Sequence, residues 1–396
     1  MKRINLYLYF FLTFIFVSNN SLACRHTVRE IGFSDLGLKT YNLVFFIDSR
    51  TPAEQIINMQ KYSRVLLQDT NVQMEIIDTD KNKSSPYLRF RTQYSDQRCP
   101  FTVFISPDGE SMICPAVKTG QSINESSWYL IESMVSSSFR EDIVRELIRS
   151  LGVVLIIEGS DDAENNRIKD AARNAVREIT GDLDQMPKVV NKPPKIIVIS
   201  HNKINDEKVL LFSLGITGKN KDDAHLTVIY GRGKLAGHLL TGEQINSRRI
   251  YNLLSLIGAD CECGIDNSWI MGDMIPLRWG PSQQADLSDQ LGFDVENPFV
   301  KTEMSQIISL NRNLQNSINP LENNILGFAK SSLEISDAEN PIPKITAEEI
   351  RRTILPGNIQ KNDFLLKRII ITIGLIVLVI AITGFSIFLL HKRRAG

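Results

Sequence analysis

The chain has no net charge to offer a partner. Lys and Arg total 45, Asp and Glu total 45, and the formal net charge over 396 residues is +0. The two signs are interspersed, which excludes the strong one-signed field by which proteins gather nucleic acid. Histidine is scarce, and His201, His225 and His238 stand in no metal-ligand spacing. No Gly-x-Ser-x-Gly elbow and no Ser/His/Asp arrangement is visible, so no hydrolytic nucleophile is indicated. Gly231-Arg232-Gly233-Lys234 lacks the Gly-x-x-x-x-Gly-Lys-[Ser/Thr] spacing and the following helix of a phosphate loop; it reads as a hairpin turn. Cysteine is sparse too: Cys24, Cys99, Cys114, Cys261 and Cys263 are the full set. Their odd number leaves at least one thiol unpaired, intermolecular or modified.

Long uncharged runs stand at the two ends. Met1-Lys2-Arg3, the apolar Leu6–Val17 and the small residues Ser21 and Ala23 have the pattern of a secretory signal over 1–23, cut after Ala23. Ile369–Leu390 (IIITIGLIVLVIAITGFSIFLL) carries no charge. About 20 apolar residues cross a bilayer core, so a membrane anchor is expected over 367–391. Lys392-Arg393-Arg394 then lie on the cytoplasmic side, as the positive-inside bias prefers, in a tail (392–396) too short to fold. Export plus one stop-transfer helix places the bulk of the chain outside the cytoplasm, periplasmic or at the cell surface, in a compartment that permits disulfides.

Between these ends the hydrophobic pattern alternates between strand and helix. Residues 43–48 (LVFFID) are a continuous apolar run, the mark of a strand buried on both faces. Pro52 opens a helix over 52–67, and 72–78 reads as a strand. Residues 101–106, the turn Pro107-Asp108-Gly109 and 111–114 form a hairpin, and a helix over 127–135 closes the unit. The order then returns. A strand at 153–158 leads to a helix at 163–179 capped by Asp161 or Asp162, then strands at 195–200 and 209–214. A hairpin of 226–230 with 235–240 and a helix at 247–257 follow. Thr102-Val103 matches Thr227-Val228, Gly120 matches Gly242, and Val28-Arg29-Glu30-Ile31 matches Val144-Arg145-Glu146-Leu147. An internal repeat is expected.

Strand-helix-strand, then hairpin, then helix, resembles the thioredoxin fold over 41–137 and again over 152–258. Cys99-Pro100-Phe101-Thr102-Val103 resembles the pattern in which a cis-proline, here Pro100, opens the third core strand. Phe104–Glu110 resembles the strand and turn that follow in the membrane-anchored thioredoxin-like branch. In the second half Ala224-His225-Leu226 stands in place of the proline. The resemblance implies an α/β chain of tandem thioredoxin-like domains. Redox-active members carry Cys-x-x-Cys where the first strand gives way to the first helix, whose N-terminus stabilises a thiolate. Here those positions read Asp48-Ser49-Arg50-Thr51-Pro52 and Gly159-Ser160-Asp161-Asp162, with no cysteine. Dithiol chemistry is therefore unsupported, and a binding or scaffolding use of the fold is expected.

The densest cluster of unusual residues is 259–280, with Cys261-Glu262-Cys263, Trp269, Met271, Met274 and Trp279. Cys-x-Cys holds two thiolates close together, as a soft metal or a redox pair needs. If the ends of the body meet, Cys24, His26, Cys261 and Cys263 supply a set sufficient for Zn, with Met271 and Met274 as added donors for Cu. A Cys24–Cys261 or Cys24–Cys263 disulfide, or buried unpaired thiols, are the structural alternatives. Cys24 follows Ser21-Leu22-Ala23, which resembles a bacterial lipoprotein box with Ser where Leu is usual. Trp269, Met271, Met274 and Trp279 form a candidate partner contact; the alternative is that they pack back on the domains. With Asp108-Gly109 as a two-residue turn, Cys114 opposes Val103, so a Cys99–Cys114 bridge is not expected.

Residues 281–366 are Asn-, Ser- and Gln-rich and interrupted by Pro298, Pro320, Pro341, Pro343 and Pro356. They read as a stalk with short helices at 301–310 and 347–354. The expected layout is a signal peptide (1–23), domain 1 (24–138), domain 2 with its Cys/Trp-rich extension (139–280), stalk (281–366) and anchor. The expected function is a membrane-anchored extracytoplasmic binding or assembly module with a protein partner, such as a membrane complex or transporter. It has no identified cofactor or small-molecule substrate, no nucleic acid and no assigned catalytic residue. The alternative is a thiol-redox or metal-handling envelope protein using Cys24, Cys261 and Cys263.

Overall fold

The computed structural model describes residues 26–35, 39–114, 122–190, 192–260 and 273–315. Cys24, Cys261, Cys263, Trp269, Met271, the 347–354 segment and Ile369–Leu390 lie outside them. Among the described residues no helix is long and apolar enough to cross a membrane.

The described chain begins with a short helix, Val28–Phe33 (α1). Tyr41–Ile47 (β1), Ala53–Leu66 (α2) and Val72–Asp78 (β2) start the first sheet, with β1 and β2 parallel. Leu88–Gln93 (α3) then leads to Phe101–Ile105 (β3), antiparallel to β1, and to the edge strand Ser111–Ile113 (β4). Ile123–Val135 (α4) closes this half. Ser138–Arg149 (α5) opens the second, followed by Val153–Ile157 (β5), Asp162–Asp182 (α6) and Lys195–Ile199 (β6), parallel to β5. Lys208–Ser213 (α7) precedes His225–Tyr230 (β7), antiparallel to β5, and both Lys234–Leu235 (β8) and Leu240–Thr241 (β9) pair with β7. Ser247–Gly258 (α8), Pro281–Leu291 (α9) and Pro298–Gln315 (α10) complete the described elements. The sheet orders are β2-β1-β3-β4 and β6-β5-β7-β8. Order and directions agree strand for strand, and both halves have the thioredoxin-like fold.

The central strands are apolar throughout because helices cover both of their faces. Leu43 and Phe45 of β1 pack on Met59 and Leu66 of α2 and on Ile131 and Met134 of α4. Val44 and Phe46 point the other way, toward Phe90 of α3 and Phe101 of β3. In the second half Val154 and Ile156 meet Ile168 and Ala172 of α6 and Leu254 of α8. Val153, Leu155 and Ile157 meet Ile143 and Leu147 of α5 and Leu210 of α7.

Several expectations need correction. The run at 209–214 is helical, not a strand: Leu210 and Leu211 are adjacent yet both buried, and a short apolar run does not reveal its period. In place of one strand at 235–240 there are two short ones, Lys234–Leu235 and Leu240–Thr241, parted at Gly237 with φ +82. The first hairpin has a three-residue loop: Ser106 N donates to Glu110 O at 2.8 Å, and Gly109 takes φ +89. The added residue shifts the register, so Ile113 opposes Val103, and Cys114 N donates to Thr102 O at 3.0 Å. Cys99 and Cys114 are both free thiols.

The division at residue 138 does not match the packing at the start of the described chain. Val28 and Ile31 of α1 lie in the α6–α8 core of the second half, and Phe33 lies in its other core. At the crossing, Arg232 N donates to Gly32 O at 3.0 Å, and a Cβ on Gly231 would stand 2.3 Å from the Gly32 carbonyl carbon. Only glycine permits that approach, at φ +55. The stalk assigned to 281–366 also begins too early. Leu287, Val295, Met304 and Ile307 are buried in the two cores of the second half. Pro281 occupies the first turn of α9 and Pro298 opens α10, so these prolines start helices rather than interrupt a linker.

Candidate functional site

In this fold, chemistry belongs at the junction of the first strand, the first helix and the cis-proline loop. In the first half β1 ends at Ile47, and the next residue, Asp48, donates its backbone N–H to Thr51 Oγ1 at 3.0 Å while Thr51 N donates to Asp48 O at 3.0 Å. The Asp48 carboxylate accepts from Arg50 three times: from its backbone N and from Nε at 3.0 Å, and from Nη2 at 2.5 Å. That guanidinium holds the carboxyl below its usual range. Pro52 caps α2 without a side-chain acceptor. The loop thus presents Ser49 and the highly exposed Arg50 where the redox-active pattern presents thiols.

Opposite lies the cis Cys99–Pro100 bond. Cys99 is partly exposed and unpaired. Burial raises its thiol pKa, against a hydrogen bond with Thr79 and the nearby Arg91 and Arg50. Reactive cysteines have the opposite shift, so Cys99 rests as the neutral thiol. Cys114 is fully buried beside Met134, with Sγ 3.7 Å from Sδ, and burial pushes its thiol up as well.

The second half has closed the equivalent mouth with backbone. Gly159 follows β5, and its N–H and C=O are both held by the Asn165 amide at 2.8 and 3.0 Å. Ser160 N donates to Asp222 O at 2.8 Å. A Cβ on Gly159 would lie 2.5 Å from Asp222 O, so the loop before β7 sits directly on the helix entrance. His225, in register with Ile157, is fully buried and its Nε2 lies 2.8 Å from Asn220 O. Asp161 caps α6 through Ala163 N at 2.8 Å, with Asp162 and Glu164 in the first turn. These acids occupy the positive end of the helix that would otherwise stabilise a thiolate.

The halves are joined by a strap, residues 273–280. Toward the second half, Leu235 N donates to Asp273 O at 2.9 Å and Ile275 N to Gly233 O at 3.0 Å. Toward the first, Tyr41 Oη donates to Met274 O at 3.0 Å, and Asn71 bonds both Ile275 O at 3.2 Å and Leu277 N at 3.3 Å. Lys39 pairs with Asp273. Arg140, 2% exposed, bolts the seam. It donates to Met134 O, Ser133 O and Ser136 O at the end of α4 and to Pro276 O of the strap. Burial lowers its pKa to about 10. Arg29 does the same for the end of α5, donating to Leu147 O, Ile148 O and Ser150 O.

Two of the expected contact residues are therefore structural. Trp279 is 2% exposed, edge-on to Phe33 at 5.8 Å, with Nε1 donating to Arg232 O at 3.3 Å, so it is not a free partner contact. Met274 is fixed through its backbone between the halves. His26 is buried against the Phe293 ring at 5.4 Å, with Nδ1 3.7 Å from Glu30 and Nε2 3.9 Å from Glu303. Among the described residues no group of three His, Cys, Asp or Glu could hold a metal. Arg29, Arg140 and Asn165 have no signal in the sequence, because each serves backbone groups brought together only by folding.

No family model and no curated protein matches the chain. Among solved structures, human ERp44 in its zinc-bound form matches at 14% identity over 62% of this chain, with TM-score 0.20; the chain spans 61% of that protein's length. The first two thioredoxin domains of Saccharomyces cerevisiae Eps1p match at 11% identity over 57% of this chain and 93% of theirs, with TM-score 0.21. A malarial protein matches at 18% identity over 24% of this chain and 94% of its own, with TM-score 0.17. Scores this low carry no argument, and the fold assignment stands on the strand order and directions.

Proposed function

We propose that the protein is a non-catalytic binding or assembly module, held at the extracytoplasmic face of a membrane by Ile369–Leu390 and built from two redox-inactive thioredoxin-like domains. One observation carries this reading. The helix entrances at Asp48–Pro52 and Gly159–Asp162 hold no cysteine, and among the described residues the thiol beside them, Cys99, has its pKa raised by burial. The first entrance stays open beside cis-Pro100 and is the face offered to a protein partner, such as a membrane complex or transporter. The test has two arms. Purified full-length chain is expected to exchange no disulfide with a peptide dithiol above the buffer rate; turnover that disappears in Cys99→Ala would overturn the redox-inactive reading. Protease added to cells stripped of any wall and outer membrane, with the plasma membrane intact, is expected to digest the body, and protection that ends only when that membrane is lysed would overturn the extracytoplasmic placement.

A second reading, thiol or metal handling through Cys24, Cys261 and Cys263, is favoured by a specific contact. Thr27 forms an antiparallel bridge with Asp260, and Val28 N donates to Ala259 O at 3.0 Å. Cys261 follows Asp260 directly, and Cys24 shortly precedes Thr27. Intact-mass alkylation of wild type and Cys261→Ser, with metal content measured without chelator, decides it. Alkylation of all five thiols in the denatured chain without prior reduction, together with no bound metal, excludes it.

A further inference from the structure

Where α5 meets the strap, a cavity of about 320 Å³ opens at the seam of the two halves. Val144, Ile148 and Leu277 give it an apolar floor. Its rim is rich in one sign of charge: Arg140, Arg145, Arg149 and Arg278 line it, against Glu141 and Asp286. Two of the arginines are committed elsewhere. Arg140 serves four backbone carbonyls, and Arg145 pairs with Asp142 at 2.6 Å. Glu141 accepts from the Ser136 hydroxyl at 2.8 Å. Arg149 and Arg278 have no ion pair among the described residues, and the Arg278 Nε and Nη2 are buried without a hydrogen-bond partner.

A guanidinium does not shed its charge at physiological pH. Leaving two of its N–H groups buried and unpaired is therefore costly, and an anion offsets that cost. Nε and Nη2 together form the edge of the fork that meets both oxygens of a carboxylate or phosphate. Both are shielded from solvent in this conformation, so an anion in the adjoining cavity would meet them only after the Arg278 side chain turns toward it. We propose that this cavity binds a small organic oxyanion, with Arg278 and Arg149 holding the charged end and Val144, Ile148 and Leu277 holding an apolar body. None of its lining residues belongs to the Asp48–Pro52 or Cys99–Pro100 loops, so it is independent of the assembly reading.

The test is calorimetric titration of the full-length chain with benzoate, inorganic phosphate and neutral benzamide. Saturable binding of benzoate or phosphate is expected, and the stronger of the two names the headgroup. Arg278→Gln and the exposed Arg149→Gln should each weaken binding by about tenfold or more. Arg149→Gln should leave the ligand-free melting curve unchanged, so it decides the matter if Arg278→Gln folds poorly. The proposal is overturned if neither anion saturates, if benzamide binds as tightly as benzoate, or if Arg149→Gln binds like the parent.

Discussion

Lys234 carries an ammonium into the interior: it is 4% exposed, and its Nζ donates to the Ser34 carbonyl at 3.3 Å. Burial lowers its pKa to about 8, Asp35 opposes that shift, and Arg232 adds to it. The sign of the linkage follows. Below about pH 8 the lysine is protonated in both folded and unfolded chains. From there to the ordinary lysine range, near 10.4, the unfolded chain holds more protons, so unfolding free energy rises with pH. The thiols of Cys99 and Cys114 and the buried Tyr41 and Tyr230 are pushed up and act oppositely, the thiols from the ordinary cysteine range near 8.5 upward and the tyrosines only above theirs. Between about pH 7.5 and about pH 9.5 Lys234 should itself contribute roughly 2 kcal/mol of added stability, read in urea unfolding as the difference between the pH responses of the parent and of Lys234→Met. An equal pH response in the variant would show that the ammonium is better solvated than its burial implies.

Among the elements, the strap decides whether the halves behave as one. Asn71 is 7% exposed and serves Ile275 O and Leu277 N together, while Trp279 N donates to Asp69 O at 2.8 Å. Asn71→Ala leaves two buried backbone groups unpaired, a cost of about 2–4 kcal/mol. Differential scanning calorimetry should show a lower and broader transition as the halves uncouple; an unshifted single peak would mean that the remaining seam contacts, from Arg140, Tyr41, Lys39 and Asp69, hold the halves without it. Elements were legible in the sequence where burial wrote a continuous run, as in β1, β5 and β7, or where a cap was explicit, as Asp161 is for α6. The capping boxes Thr27–Glu30 and Ser122–Glu125 were equally legible signals, and the second places the start of α4 at Ile123, earlier than its apolar residues suggest. Leu88–Gln93 escaped because it buries only Phe90, too little for a periodic pattern. At the candidate site, the missing cysteines and cis-Pro100 could be read directly. The closure over Gly159 could not, since it depends on where the Asp222 carbonyl arrives.

At the scale of the molecule, the second half is larger than its own repeat. It draws α1 from before the first half and α9 and α10 from beyond its last repeat helix, so the two cores that flank β5 are completed by segments at both ends of the described chain. Polar composition hid α9 and the packing of both later helices: the helix expected at 301–310 lies within α10, but α9 buries only Leu287, and α10 buries Met304 and Ile307 in a chain rich in polar residues. This arrangement makes a firm prediction about where the body may end. A chain stopped after Gly280 loses Leu287, Val295, Met304 and Ile307, exposing Trp279 and Phe33 on one side and the α6–α8 core on the other. Removing even one buried aliphatic side chain costs about 2–4 kcal/mol, comparable to a large part of a domain's net stability. Such a chain should therefore unfold at a much lower urea concentration than one stopped after Gln315, or fail to accumulate. In the longer chain, Met304→Ala should reproduce part of the loss. Equal stability of the two truncated chains would return residues 281–315 to the role of a passive spacer.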